Sequence, residues 1–199
     1  MIKILRIDTS GSVRCPETES PMLSKLRGLK TMGGFSLDGK FPDLTLILKD
    51  GYESPSGMVD YFEVGLLNVI SAKFKAILEN CGAELEYFLS TVLYNEKPTA
   101  MQFFVENPLK RIKGIDVHKS EVKLDEELGD ALWVKKLVLD ESKFADVKLG
   151  VIDEIQCIGV KEELASAIVP SGCTGCSFVP CLSGCYPYPL HLACCHSPE

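Results

Sequence analysis

The 199-residue sequence lacks the features that mark membrane and secreted proteins. No apolar run approaches the roughly 20 residues that a helix needs to cross a bilayer. The first eight residues are too short and too charged for a secretory signal, and they alternate as a strand does. We therefore expect a cytoplasmic protein that does not contact a membrane.

Motifs that organise catalytic or nucleotide-binding sites are also missing. The sequence contains no G-x-S-x-G nucleophile elbow, no phosphate-binding loop, no H-E-x-x-H zinc motif and no G-x-G-x-x-G dinucleotide turn. Of its three histidines, we interpret His118 as an exposed side chain, and His191 and His196 lie near the C-terminus. Since no pair of carboxylates stands out as an acid and a base, the sequence favours a protein that is not an enzyme and holds no cofactor.

Basic charge is scarce beyond the first fifth of the chain. Residues 1–42 hold seven Lys and Arg against four Asp and Glu, whereas residues 43–199 hold 14 against 24. An acidic body repels nucleic acid and attracts a basic partner, although acidity also serves solubility alone. Lys110, Arg111 and Lys113 are too few for a nucleic-acid surface, and we interpret them as a solvated turn.

One short segment concentrates the acidic charge. Asp125, Glu126, Glu127 and Asp130 lie within six residues, just before a predicted strand. A solvated loop and a contact for a cationic partner are both compatible with this pattern. These four residues are the first candidates for a partner-binding surface.

Six of the nine cysteines crowd the end of the sequence. Cys173 and Cys176 have the C-x2-C spacing of a zinc knuckle. A tetrahedral site could be completed by Cys181 and Cys185 or by His191, Cys194, Cys195 and His196. No second C-x2-C pair follows, so free, reduced thiols are the interpretation that we favour. Disulfides explain the cluster poorly because no export signal is visible.

Hydrophobic periodicity indicates an α+β fold, mostly antiparallel sheet with a few packed helices. Strands are predicted at residues 1–8, 44–48, 85–89, 101–105, 133–139 and 154–158. Helices are predicted near residues 71–82 and 161–169, the first capped by Ser71 and the second ended by Pro170 and Gly172. A shift of 90 positions aligns these two helix–glycine–strand segments, through weak internal duplication or through chance.

Four short phrases, in order, resemble one protein family. They are FVENPL at residues 104–109, IDVHKSEV at 115–122, KLVLDESK at 136–143 and TGCSFVP at 174–180. Together they are similar to an immunity-protein family with a myxobacterial founder, formerly a domain of unknown function, from bacterial polymorphic toxin systems. The sequence departs from the family after Leu149, where relatives tend to have an aromatic-basic pair, and the similarity ends at Cys181.

The resemblance implies a cytoplasmic antidote that neutralises a cognate protein toxin by stoichiometric binding, with no catalytic residue to transfer. We divide the chain into three parts. Residues 1–42 contain a first strand and a loop-rich excursion with at most one short helix around residues 21–30. Residues 43–181 are the α+β body that resembles the family, and residues 182–199 are a Cys-rich tail. Two alternatives stay open. One is an enzyme of unrecognised type, and the other is a zinc-dependent interaction module built on the tail.

Overall fold

The computed structural model describes residues 1–8, 18–19, 33–48, 58–65 and 67–180. Strands predominate there, with two short α-helices among them. The strands are β1 (Ile2–Ile7), β2 (Thr18–Glu19), β3 (Leu44–Leu48), β4 (Tyr61–Val64), β5 (Leu67–Ser71), β6 (Leu85–Tyr94), β7 (Lys97–Pro98), β8 (Phe103–Pro108), β9 (Arg111–Ile112), β10 (Glu121–Leu124), β11 (Ala131–Lys136), β12 (Leu149–Ile152), β13 (Cys157–Lys161) and β14 (Cys176–Pro180). The helices are α1 (Ala72–Asn80) and α2 (Glu162–Ile168). No helix in these ranges is long and apolar enough to cross a membrane.

The described strands form three sheets. The first has the order β14-β1-β13-β12-β9, the second is the hairpin β10-β11, and the third has the order β2-β3-β6-β8-β5-β4 with β7 beside β6. Most neighbours are antiparallel, but β9 runs parallel to β12 and β3 runs parallel to β6. The fold is therefore α+β as predicted, while its sheets are mixed rather than purely antiparallel.

Both predicted helices are present, and each follows a strand without a break. Ser71 ends β5 and caps α1, because its Oγ accepts the backbone N–H of Phe74 at 3.2 Å. A 3-10 turn at Val169–Ser171 follows α2 and includes Pro170. It ends at Gly172, whose φ of 69° is the left-handed conformation that terminates helices.

The two segments that contain the helices share a topology. The order β4, β5, α1, β6 corresponds to β12, β13, α2, β14, and in each sheet one further strand, β8 or β1, lies between the last two strands of the set. All neighbours within both sets are antiparallel. This likeness agrees with the shift of 90 positions in the sequence. Its origin by duplication stays a prediction.

Three clusters of buried side chains make up the described core. The first includes Phe62 and Phe103 of the third sheet, and the second joins the hairpin to the first sheet around Phe144. The third includes Phe74 and combines residues of the first and third sheets with both helices. These four aromatic rings have no exposed surface, and burial of such large apolar side chains is the main stabilising contribution.

Three predicted strands are displaced from their observed positions, and one of them, predicted at residues 101–105, is observed at Phe103–Pro108. The strand predicted at residues 154–158 begins only at Cys157, because Glu154 turns inward and its carboxylate accepts the N–H groups of Gly114 and Ile115 at 3.1 and 3.2 Å. The strand predicted at residues 133–139 begins at residue 131 and ends at Lys136. The short helix predicted around residues 21–30 and the tail lie outside the described residues, and the three-part division stays a prediction.

Candidate functional site

The acidic segment identified in the sequence is the turn of the β10–β11 hairpin. One face of this hairpin is buried, since Ala131 and Val134 pack with Phe144 in the second core cluster. In addition, the backbone N–H of Ala131 donates to the carbonyl of Glu154 at 2.6 Å. The hairpin is thus fixed to the body of the protein along one side, and its turn is held in a defined place.

Asp125 organises the turn itself. Its Oδ1 accepts the backbone N–H groups of Leu128 at 2.8 Å and of Glu127 at 2.9 Å, which is the geometry of an Asx turn. These two hydrogen bonds, that from Leu128 first, hold the pKa of Asp125 below its ordinary value. Gly129 completes the turn with a φ of 76°, which glycine adopts without strain.

The other three predicted acids, Glu126, Glu127 and Asp130, are exposed on this ordered turn. The sequence contains no lysine or arginine between Leu124 and Val134, so the charge of the turn is uniformly negative. The structure therefore brings the four predicted partner-binding residues together but gives them two roles. Asp125 fixes the backbone, and the other three acids face solvent.

Three exposed apolar side chains that were not predicted from the sequence lie beside these acids. Leu128 is 76% exposed, Leu132 47% and Trp133 49%. In a regular strand one of two adjacent residues would face the core. The run of four apolar residues at positions 131–134 was the only signal in the sequence, because such a run exceeds what an alternating strand can bury on one face.

A β-bulge explains why both Leu132 and Trp133 are exposed. Lys123 lies opposite Trp133, and the next residue, Leu124, lies opposite Ala131, so Leu132 is an extra residue on β11. The bulge shifts the alternation of the strand at this point. As a result, an apolar surface and an acidic turn lie next to each other at one end of the hairpin.

Cys173 lies in the loop before β14, and Cys176 is the first residue of β14. This loop is clamped to the segment at Asp60 and Tyr61. The N–H and Oγ1 of Thr174 donate to Oδ2 of Asp60 at 2.9 and 3.3 Å, and the carbonyl of Thr174 accepts the N–H groups of Asp60 and Tyr61. Both thiols are partly buried against the third core cluster. Burial raises the pKa of Cys173, and it raises the pKa of Cys176 to about 12.

These thiols are thus protonated at neutral pH, a state that disfavours nucleophilic attack. The four cysteines in the described part of the chain form no disulfide, and no group of three or more metal-binding residues occurs there. Cys181 and Cys185 lie outside the described residues. A zinc site that combines them with Cys173 and Cys176 therefore stays a prediction.

The remaining candidates from the sequence are surface groups. His118 is exposed, as predicted. Lys110 pairs with Glu84 at 3.2 Å, and Arg111 forms an ion pair with Asp153. Arg111 begins the short strand β9, so the predicted turn is wrong at this residue. The two ion pairs tie the basic charge to neighbouring acids of the same chain.

A buried acid inside the molecule was not predicted at all. Glu106 on β8 has no exposed surface and lies opposite Tyr87 of β6. Burial raises the pKa of Glu106 to about 8; Asn68 on β5 partly offsets this effect, and the charge of Glu63 adds to it. No donor in the described ranges lies in full hydrogen-bonding geometry to either carboxylate oxygen. Glu106 is therefore largely protonated at neutral pH.

Glu106 meets only part of what a catalytic acid requires. A pKa near neutrality suits general acid–base catalysis. A group with no exposed surface, however, has no access to a substrate unless the fold opens. The nearby phenols of Tyr61 and Tyr87 are uncharged at neutral pH, and burial raises their pKa further above the ordinary value of 10.0.

No family model matches the chain, and no curated protein matches it either. The resemblance carried by the four sequence phrases therefore stays a prediction.

Proposed function

We propose that the protein is an immunity protein, which neutralises the cognate toxin of a bacterial polymorphic toxin system by stoichiometric binding in the cytoplasm. The observation that carries the proposal is the ordered acidic turn of the hairpin, which presents Glu126, Glu127 and Asp130 to solvent. The four phrases that resemble an immunity family support the same function. Such a protein needs a stable fold and a complementary surface, and it needs no reaction chemistry.

The order of the turn favours binding. A flexible acidic loop would lose conformational entropy when a partner fixed it, whereas Asp125 already holds this turn in one conformation. Three carboxylates with no basic residue among them create a negative potential at the tip of the hairpin. A toxin with a basic surface would be attracted to this point before contact, which raises the association rate.

The interior of the protein supports a function without catalysis. An enzyme would be favoured by perturbed acids that converge in an open pocket. The acid with the largest upward pKa shift, Glu106, is instead packed inside the fold with no exposed surface. The thiols of Cys173 and Cys176 are protonated and partly buried, which weighs against a cysteine nucleophile at these positions.

The function is tested with the product of the neighbouring gene. We expect that this product is toxic when expressed alone, that co-expression of the immunity protein restores growth, and that the two proteins purify as a complex. A neighbouring product that is not toxic and does not bind would contradict the proposal.

The role of the acidic turn is tested by stopped-flow association at increasing salt. The triple variant Glu126→Gln, Glu127→Gln, Asp130→Asn should associate at least about tenfold more slowly at low salt and should lose most of the salt dependence. A matched control removes three exposed acids elsewhere on the surface.

The control variant is Asp38→Asn, Asp43→Asn, Glu163→Gln, which changes the net charge by the same amount. It should change the association rate less than about threefold, since only the overall charge differs. Association rates that do not depend on salt would contradict electrostatic attraction. Equal effects of the two triple variants would assign the attraction to net charge rather than to the turn.

A further inference from the structure

Exposed apolar side chains cluster at one end of the β10–β11 hairpin. The described residues include nine large hydrophobic side chains that are exposed, and three of them, Leu128, Leu132 and Trp133, fall within six positions. Single exposed hydrophobic residues are normal on protein surfaces, whereas a cluster marks an interaction site. This cluster also contains the only tryptophan of the sequence.

The bulge gives these side chains their position. An alternating strand would expose either Leu132 or Trp133, and the bulge at Leu132 exposes both while Ala131 and Val134 remain buried in the second core cluster. Bulges often redirect a side chain at a functional edge of a sheet. The hairpin therefore holds an aromatic and an aliphatic side chain outward on a fixed support.

Charge distinguishes between the classes of partner that could cover this surface. Asp125, Glu126, Glu127 and Asp130 all lie between Leu124 and Ala131. This negative charge repels the phosphates of nucleic acid and of anionic lipids. It complements a protein surface with lysine and arginine side chains, and Lys123, which lies opposite Trp133, limits the acidic region to the turn half of the hairpin.

We infer that Leu128, Leu132 and Trp133 are the apolar anchor of this surface and dock into an apolar pocket of a partner protein whose rim carries lysine and arginine. The inference rests on the proposed function and adds the pocket that the toxin must contain. Tryptophan is among the residue types that most often dominate the binding energy of protein interfaces. The contacts around such a residue exclude water from it.

The test compares truncation of the anchor with truncation of an exposed side chain elsewhere. Trp133→Ala and Leu132→Ala should each weaken the complex with the cognate toxin at least about tenfold in Kd. The matched control is Leu89→Ala on β6, a side chain that is 59% exposed and lies outside all three core clusters. It should change Kd less than about twofold.

A measurement on the unmutated protein makes the test independent of variant folding. Because the sequence contains one tryptophan, 5-fluorotryptophan labels Trp133 alone. Saturation with unlabelled toxin should shift its fluorine resonance and reduce its exposure to solvent. A resonance that is unchanged in the complex would overturn the inference even if Trp133→Ala cannot be purified.

The outcomes separate the inference from the function on which it rests. If the wild-type protein binds the toxin and the anchor variants bind it equally well, the anchor is wrong and the immunity function stands. If the wild-type protein does not bind the toxin, the proposed function is wrong. If the wild-type protein self-associates and Trp133→Ala abolishes that association, the surface contacts a second copy and the inferred occupant is wrong.

Discussion

The turn of the β10–β11 hairpin and the loop from Cys173 to Gly175 before β14 are both short connections that contain a glycine and reactive or charged side chains. In the turn, Asp125 binds backbone groups two and three residues further along the chain. In the loop, Thr174 is bound by Asp60 of a distant segment. The local hydrogen bonds of Asp125 leave the neighbouring acids in solvent. The long-range hydrogen bonds between Asp60 and Thr174 hold the neighbouring cysteines against the core.

The carboxyl groups of the molecule show the same contrast. Backbone N–H groups stabilise the ionised form of Asp125 at the surface and lower its pKa. Burial in the interior disfavours the ionised form of Glu106 and raises its pKa to about 8. At pH 7 Asp125 is therefore an ion, whereas Glu106 is largely a neutral acid.

The largest expected effect on stability comes from a substitution that disrupts the packing of the clamped loop against Tyr61 and Val59. Gly175 has a φ of 82°, and a Cβ at this position would overlap the carbonyl oxygen of Tyr61 and lie 2.7 Å from Cβ of Val59. Because the left-handed strain and the overlap add, we expect Gly175→Ala to lower the free energy of unfolding by about 4 kcal/mol. Urea denaturation measures this change.

Gly129→Ala in the hairpin turn is the matched control. Its φ of 76° is equally left-handed, but a Cβ there would meet no atom within 4 Å. Only the backbone strain remains, so the loss should be about 1 kcal/mol. Equal losses at the two glycines would show that close packing of the loop against Tyr61 does not contribute.

The next effect concerns the pH dependence of stability. The pKa of Glu106 is raised on folding from its ordinary value of 4.5 to about 8. The folded state therefore retains a proton that the unfolded state releases, and stability falls as pH rises from 4.5 to 8 and is level above that range. The contribution of Glu106 across this window is up to about 4 kcal/mol. Glu106→Gln should remove it, because the amide does not ionise.

Denaturation of the variant and the wild type at intervals from pH 4.5 to 9 tests this expectation. The difference between the two curves should grow with pH in favour of the variant and become constant above pH 8. Glu163→Gln, on the exposed side of α2, serves as the control and should run parallel to the wild type. Parallel curves for Glu106→Gln would show that Glu106 ionises at its ordinary pKa.

Sequence periodicity predicted the parts of the fold that depend on local interactions. The cap formed by Ser71, the left-handed Gly172 after α2 and the acidic turn all follow from residues that interact within a few positions. Pairing between strands depends on partners distant in sequence. For this reason the bulge at Leu132 and the burial of Glu106 could not be read from alternation, which describes one strand at a time.

A smaller effect, on amide hydrogen exchange, is expected when the hydrogen bonds to Asp125 within the turn are lost. Asp125→Ala removes the acceptor of the N–H groups of Glu127 and Leu128, so these two amides should exchange on the order of fivefold faster. Since folding lowers the pKa of Asp125, its stabilising effect is present above the unfolded pKa and is lost as pH falls through the folded pKa. Asp130→Ala is the control and should leave both amides unchanged.

The smallest expected effect is on stability at the surface of the same turn. Glu126, Glu127 and Asp130 are exposed, and neutralising all three relieves mutual repulsion without removing a buried contact. The triple variant should therefore unfold within about 0.5 kcal/mol of the wild type. This result would assign its slower toxin association to the missing charge, because the folded hairpin is retained. If the free energy of unfolding fell by several kcal/mol instead, these three acids would stabilise the turn as Asp125 does. The distinction between Asp125, which fixes the backbone, and the three acids that face solvent would then be wrong.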